Sequence, residues 1–475
     1  MNKKKHNLFA RKSFEFLNRK NSNDVSVSIS SLNIIKHHPE YTKKIDQVRN
    51  VIILKILIIN FLRSIKSLLK IFIKNKKIKK EKIDVLIISH LTNTNQLKYN
   101  KDLYFGNLEK ILLKKKLKVK KLFINHTKFE HFNNKIQSNK IIISRSIPFY
   151  FELMIFKKRI YEFFKLIKIL IFSNDKILKK IIKRSLISLF EEETLFALRL
   201  KFQVERYLKI FDPNYMITTY EGYGWERLCF KVAKKYKKKI KCIGYQHTPI
   251  IHNNISIFWK IKSNYNPDFI WCSDKESFKA LKKKFKDVFL IGNLKNENNS
   301  TSSKNYINKS KKTTCLVIPE GLNQECLRLI NFTIQFSRLY KSINFIWRFH
   351  PITDVKKILK IVNYENKKKN IIISKAKNLH DDIKKSKFVL YRGSSTVIEA
   401  VKKGVFPLYL NFNDGINVDI LRQFTRSKNY VNEFKDLVLF NQKHKEKNSY
   451  FKKLKKNIST TYNVGPKEKI ISKFF

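Results

Sequence analysis

Short apolar runs, each closing in a polar or glycine-bearing loop and followed by a segment of helical composition, recur along most of this 475-residue chain. The first is Lys82-Ile-Asp-Val-Leu-Ile-Ile-Ser89, which leads into His90-Leu91-Thr92-Asn93. Similar runs span Val119 to Asn125, Tyr215 to Thr219, Lys241 to Tyr245, Asp268 to Cys272 and Val288 to Gly292. A short run that is apolar at nearly every position suits a strand covered on both faces, as parallel strands between helices are. Helical segments stand between these runs, at Asn107 to Lys116, after Trp225 and from about Lys275. The alternation predicts a doubly wound parallel sheet. Residues 145–210 break the rhythm, being helical in composition without strand punctuation. They are expected to cover one side of the domain or to form a second amphipathic surface.

Residues 296–312, rich in Asn, Ser and Lys and almost devoid of apolar side chains, read as a linker. Beyond it the pattern restarts: strands at Thr314-Cys-Leu-Val-Ile318, Asn344-Phe-Ile-Trp347, Asn370-Ile-Ile-Ile373, Phe388-Val-Leu390 and Phe406-Pro-Leu-Tyr-Leu410, with helices from about Glu325, at His380 to Lys385 and at Ser395 to Lys403. The expected organisation is a basic arm and amphipathic helix over 1–80, a Rossmann-like unit over 81–295, the linker, a second Rossmann-like unit over 313–435, and a basic helical tail over 436–475. Two such α/β units imply a cleft, with ligands at the carboxyl ends of the strands.

Lys and Arg number 101 against 37 Asp and Glu, a formal net charge of +64. Charge of that size fits nucleic-acid binding. However, Lys, Ile, Asn and Phe are heavily used while Gly and Pro are scarce, as an AT-rich genome would write into tolerant surface positions. No zinc-finger, helix-turn-helix or RNA-binding signature accompanies the charge, so nucleic acid is not the expected partner. The five cysteines (Cys229, Cys242, Cys272, Cys315, Cys326) show no CxxC spacing and read as buried free thiols in a reducing cytosol. No secretory signal precedes the first apolar run, which begins near Val51. Over Val51 to Lys74, Lys55, Asn60, Arg63, Lys66, Ser67, Lys70 and Lys74 fall within an arc of about 140° on a helical wheel. Such a helix either lies in the interface of an anionic membrane or packs its apolar face on the protein. The expected location is therefore cytoplasmic, with peripheral contact to anionic inner-membrane lipid as one alternative.

Two constellations carry chemistry in the second unit. In Tyr391-Arg392-Gly393-Ser394-Ser395-Thr396, a buried strand runs through a glycine into a helix start. Gly393 allows a tight turn, and the first helical N–H groups with the two hydroxyls and Arg392 can hold a phosphate. Glu399, one helical turn on, can reach a sugar or ribose hydroxyl. The plainer alternative is that serine caps the helix. In Trp347-Arg348-Phe349-His350-Pro351, Pro351 ends a strand and presents Arg348 and His350 at the same edge, where both can bind a phosphate and histidine can protonate or stabilise a leaving one. In the first unit, Tyr220-Glu-Gly-Tyr-Gly-Trp-Glu226 follows a strand, and Glu221 there suits a base that takes a proton from an acceptor hydroxyl. Glu226 flanks the same turn, and the plainer alternative is that it caps the helix while Trp225 lies in the core. His247, in Gly244-Tyr-Gln-His247, and His90 are rival bases. Asp381-Asp382 sits at a helix start and reads as a cap, and no DxD stands in a setting that recruits a metal.

Residues 314–411, with His350-Pro351 and Ser394-Ser395, resemble the donor-binding domain of GT-B glycosyltransferases, the branch that includes bacterial sialyl- and Kdo-transferases and CDP-polyol phosphate polymerases. The resemblance implies that these pairs contact the nucleotide phosphate of the donor, with Glu399 nearby, and that no metal is needed. Tyr104-Phe-Gly-Asn-Leu108, Tyr220 to Glu226 and Gly244 to His247 resemble motifs of a bacterial surface-carbohydrate (capsule or O-antigen) biosynthesis family. The expectation is transfer of a sugar from a nucleotide-activated donor, a substrate and not a cofactor, to a surface polysaccharide or lipid-linked glycan. The alternatives are a sugar-nucleotide epimerase or polyol-phosphate transferase of the same fold, or a non-catalytic nucleotide- or nucleic-acid-binding protein.

Overall fold

A computed structural model describes residues 3–20, 22–34, 79–92, 95–98, 102–127, 139–143, 147–250, 256–295, 313–351, 353–364, 370–412, 417–442 and 448–475, with positions 58, 59 and 62. The linker over 296–312 and nearly all of the amphipathic stretch 51–74 lie outside the described residues.

The first unit is a parallel sheet of β1 (Val85–Leu91), β2 (Val119–Asn125), β3 (Lys140–Ile143), β4 (Tyr215–Thr219), β5 (Lys241–Gln246), β6 (Phe269–Cys272) and β7 (Val288–Leu290), in the order β3-β2-β1-β4-β5-β6-β7. The second is a parallel sheet of β8 (Thr313–Pro319), β9 (Ile343–Trp347), β10 (Ile371–Ile373), β11 (Phe388–Arg392), β12 (Phe406–Leu410) and β13 (Tyr430–Val431), in the order β10-β9-β8-β11-β12-β13. β1, β4, β5, β8, β11 and β12 are buried almost throughout, as the unbroken apolar runs required. Alternate residues of β1 face opposite layers: Leu86 and Ile88 join the core with Phe230 and Leu208, whereas Val85 and Ile87 join Leu108 and Trp271. Two doubly wound α/β units of this kind form the GT-B architecture that the motifs implied.

Residues 145–210 fold into three long helices, Phe149–Phe172, Lys176–Leu189 and Glu192–Phe211, which share an apolar cluster of their own. The amino-terminal segment differs from the loose arm expected of it. Lys3–Asn18, Asp24–Ser28 and Ser30–Ile34 are helices whose Phe9, Phe16, Leu17, Val25, Val27 and Ile29 are buried in that same cluster. Asn23 caps the second helix through its side chain and donates to the buried Glu162 at 2.9 Å. The stripe of Phe9, Phe16 and Leu17 is narrow and stands among lysines, so composition concealed it.

The carboxyl terminus is likewise no free tail. Leu454, Ile458 and Tyr462 of the helix Asn448–Tyr462 pack with Val397 and Val401 of the second unit. The chain then returns to the first unit, where Asn293 N–H donates to Val464 C=O at 2.7 Å and Lys467 N–H to Ile291 C=O at 2.8 Å. Phe474 stands 4.8 Å from Phe289 and 5.2 Å from Trp271, and Phe475 stands 4.7 Å from Tyr215. A fully buried Phe costs about 3–5 kcal/mol on truncation to alanine, and Phe474 is half-buried. Phe474→Ala should therefore lower the unfolding free energy by about 2 kcal/mol in urea titrations. A change within error would mean that this terminal strap contributes nothing to the first unit.

Candidate active site

In each sheet the first strand lies inside, and the chain moves first to one side of it and then to the other. The loops after β1 and β4, and those after β8 and β11, therefore diverge and leave a crevice at the carboxyl ends of the strands. The candidate residues gather at these two switch points.

At the first, His90 ends β1. Its Nδ1 lies 2.9 Å from His126 Nε2 and its Nε2 lies 3.0 Å from Thr219 Oγ1 at the end of β4, so both ring nitrogens are engaged. Burial holds the pKa of His90 well below the ordinary histidine value, and the neighbouring His126 and His247 reinforce the shift. Tyr104 contacts both histidines, tilted against His90 and edge-on to His247, with ring centroids 4.7 and 5.0 Å away. His247, following β5, is pushed down to about 4 by desolvation, against the opposing pull of Glu221, and is neutral near pH 7.

Glu221 sits in the turn after β4. Gly222 takes φ +89°, and a Cβ there would stand 2.7 Å from the Ser256 backbone, so only glycine fits. The buried Arg227 braces that contact by donating to the carbonyls of Gly222, Ser256 and Trp259 at 3.2, 3.0 and 2.8 Å. Thr248 donates its hydroxyl to Glu221 Oε1. The Glu221 charge adds to the desolvation that raises the pKa of Tyr104 and Glu226 and opposes the desolvation that lowers that of His247 and Lys295, so it is the electrostatic centre of the cluster. Glu226 is the cap that the sequence suggested: it accepts from the N–H groups of Glu221, Gly222 and Tyr223 at 2.8–3.1 Å. Desolvation, with Glu221 adding to it, nevertheless pushes its pKa up to about 8.

At the second switch point, Gly393 has φ +76° and leads into the helix Thr396–Lys402. Ser395 is exposed and makes no side-chain cap on that helix, so plain capping does not describe it. Ser394 is buried beside it. In the first turn the Val397 and Ile398 N–H groups donate to the carbonyls of Ser394 and Ser395 at 3.4 and 3.1 Å. Glu399 lies on the same helix, paired with Lys402 at 3.0 Å. His350, after β9, is exposed; protein packed around it lowers its pKa, with Glu320 opposing.

Two residues differ from expectation. The Arg392 guanidinium is fully buried, pairs with the equally buried Glu325, and donates to Leu410 C=O at 3.1 Å, so it braces the strand end from inside instead of facing a phosphate. Arg348 binds Asp382 at 2.6 Å and the carbonyls of Ala376 and Asn378, which makes it a clamp on the loop after β10. Asp382, read as a cap, is the other half of that clamp and accepts from Ser374 at 2.6 Å.

Sequence reasoning missed Glu320, Lys295 and Tyr104 as individual residues. A Cβ at position 393 would stand 2.6 Å from Glu320 Oε2, so this carboxylate lies directly against the glycine turn. The signal was available, since Glu320 follows β8 as His90 follows β1. Lys295 experiences Asp102 and Glu221 on the first unit and Glu399 on the second, although desolvation still lowers its pKa. Through Lys295 the two switch points share one electrostatic neighbourhood. Among the described residues no group of three His, Cys, Asp or Glu could hold a metal ion, and all five cysteines are buried and free.

No family model and no curated protein matches the chain. Among solved structures, a UDP-GlcNAc 2-epimerase from Neisseria meningitidis is similar at 14% identity, over 82% of this chain and 99% of that one, with a TM-score of 0.45. The wall teichoic acid polymerase TagF is similar at 9% identity over 90% and 96%, with a TM-score of 0.44. MurG of Acinetobacter baumannii is similar at 10% over 82% and 98%, with a TM-score of 0.42. Likenesses of this strength leave function to be argued from the site itself.

The raised pKa of Glu226 has a consequence for stability. Between about pH 5 and 8 the folded chain keeps a proton that the unfolded chain has lost, so this contribution declines as pH rises, by up to about 1.4 kcal/mol per unit. Glu226→Gln should flatten that decline in unfolding free energies measured across the window. An unchanged slope would show that the carboxyl titrates normally.

Proposed function

We propose that this chain is a glycosyltransferase that moves a sugar from a nucleotide-activated donor to a surface polysaccharide or lipid-linked glycan. The observation that carries this reading is the pair of unlike switch points: hydroxyls and a helix start at one, a carboxylate among aromatic rings at the other. The donor's phosphates lie against Ser394, Ser395 and the Thr396 N–H, where the positive helix end and hydroxyl donors favour them. His350 stands ready to donate a proton to the leaving phosphate. Glu320 repels a phosphate placed directly on Gly393, which directs the phosphates toward Ser395 and leaves this carboxylate to accept a sugar or ribose hydroxyl. Glu399 is a second acceptor of that kind.

Across the cleft Glu221 takes the proton of the acceptor hydroxyl. Of its rivals, His90 already engages both nitrogens, and His247 at about 4 is no more basic than an ordinary carboxylate and lacks its negative charge. Tyr104 and Trp225 offer ring faces to a sugar. No metal or cofactor enters this scheme. A surface-carbohydrate pathway at the cytoplasmic face of the inner membrane agrees with the motifs around Tyr104, Glu221 and His247, which converge here from three distant segments.

Incubation with CMP-, CDP- and UDP-sugars, with and without glycan acceptors, tests the reaction. Turnover should require acceptor, whereas acceptor-free conversion of the donor would favour an epimerase. Glu221→Gln should lower kcat by about 10²–10⁴ and leave nucleotide affinity unchanged. Ser395→Ala should weaken nucleotide binding by about 10-fold in calorimetry, and unchanged affinity would remove the donor-site assignment.

A further inference from the structure

The helix Phe149–Phe172 is buried on one side only. Glu152, Ile155, Arg159, Glu162 and Leu166 face inward, and polar bonds fix that orientation. Glu152 accepts from Arg199 at 2.6 Å, Glu162 accepts from Ser26 at 2.6 Å, and Arg159 donates to Leu189 C=O at 2.8 Å. The opposite side is not the charged face that a solvated helix presents. Phe149, Tyr150, Tyr161, Phe164, Ile171 and Phe172 are 55–75% exposed, and at about 100° per residue all six fall within an arc of about 140°. Lys157 and Lys168 lie inside that arc, with Lys158 and Lys165 at its edge.

We propose that this face rests on an anionic lipid bilayer. Aromatic rings among lysines on a fixed helix suit the boundary between headgroups and acyl chains. A cavity of about 550 Å³ continues the face, lined by Arg19, Lys20 and Lys168 with Phe16 and Phe172, while Lys165 in its wall is paired with Glu162 at 2.7 Å; the lining is matched to a phosphate-bearing headgroup and its acyl chain. A second copy of the chain is the other occupant for an apolar face, and the net charge of +64 opposes it. No described helix is long and apolar enough to cross a membrane, so the contact is with the surface. The assignment stands independently of the transferase reading. Trp225 links the two regions, since it packs against this helical cluster and its ring lies 5.3 Å from His90.

Flotation of the full chain with vesicles of phosphatidylcholine, with and without phosphatidylglycerol, tests the proposal. The chain should bind the anionic vesicles, and Phe149→Ser/Phe164→Ser/Phe172→Ser should weaken binding at least 10-fold while circular dichroism and the thermal midpoint stay those of the unaltered chain. Lys157→Glu/Lys168→Glu should lose the preference for phosphatidylglycerol. A Phe164→Trp variant should gain quenching by brominated lipid, a readout that holds even if the triple variant fails to fold. Absence of binding by the unaltered chain overturns the proposal. So does full binding by a folded triple variant, as the stretch 51–74 alone would give. A dimer that the triple variant converts to monomer would assign the face to a second copy instead.

Discussion

In both sheets the chain starts on an interior strand, and parallel pairing dictates the rest of its path. Successive parallel strands need a helical crossover, so the chain cannot turn back locally; it builds outward to one edge and returns across the starting strand to build the other. β1 and β8 therefore each lie between loops that diverge, and nothing in the sheet fills the gap at their carboxyl ends. His90 and Glu320 occupy equivalent places at these gaps, as do Glu221 and Gly393 after the returning strands. The chemistry of the molecule is concentrated where the topology leaves room for it.

That topology was legible because strands covered on both faces must be apolar at nearly every position. The long helices of 145–210 were legible for the opposite reason, having no turn residues to interrupt them. The short edge strands β3 and β13 were missed: β13 is only two residues long, and the three isoleucines of β3 are too short a run to stand out beside the long helical stretch that follows. The amino-terminal helices were missed because a few apolar residues at helical spacing suffice when a neighbouring layer already exists for them to cover.

The site was legible in residue type and position but not in side-chain direction. Ser394, Ser395, Glu399 and His350 lie at the edge assigned to them, while Arg392 does not face it. The two-residue period of β11 explains the difference. Arg392 shares a face with Phe388 and Leu390, which pack under the helix Asn323–Leu339, and Glu325 in the first turn of that helix receives the guanidinium. A buried pair of this kind is costly to break from either side, on the order of 3–5 kcal/mol. It fixes where β11 stops and hence where Gly393 turns. Arg392 supports the glycine turn from behind, a role that residue type alone cannot distinguish from direct contact with a ligand.

The division into donor and acceptor sides requires the second switch point to be the seat of a nucleotide. A crystal structure of the chain with a nucleoside diphosphate tests this most directly. The phosphates should lie within hydrogen-bond reach of Ser394, Ser395 and the Thr396 N–H, with the distal phosphate directed toward Glu221 across the cleft. A nucleotide seated at the His90 switch point, or bound away from both carboxyl edges, would contradict the assignment of donor and acceptor sides.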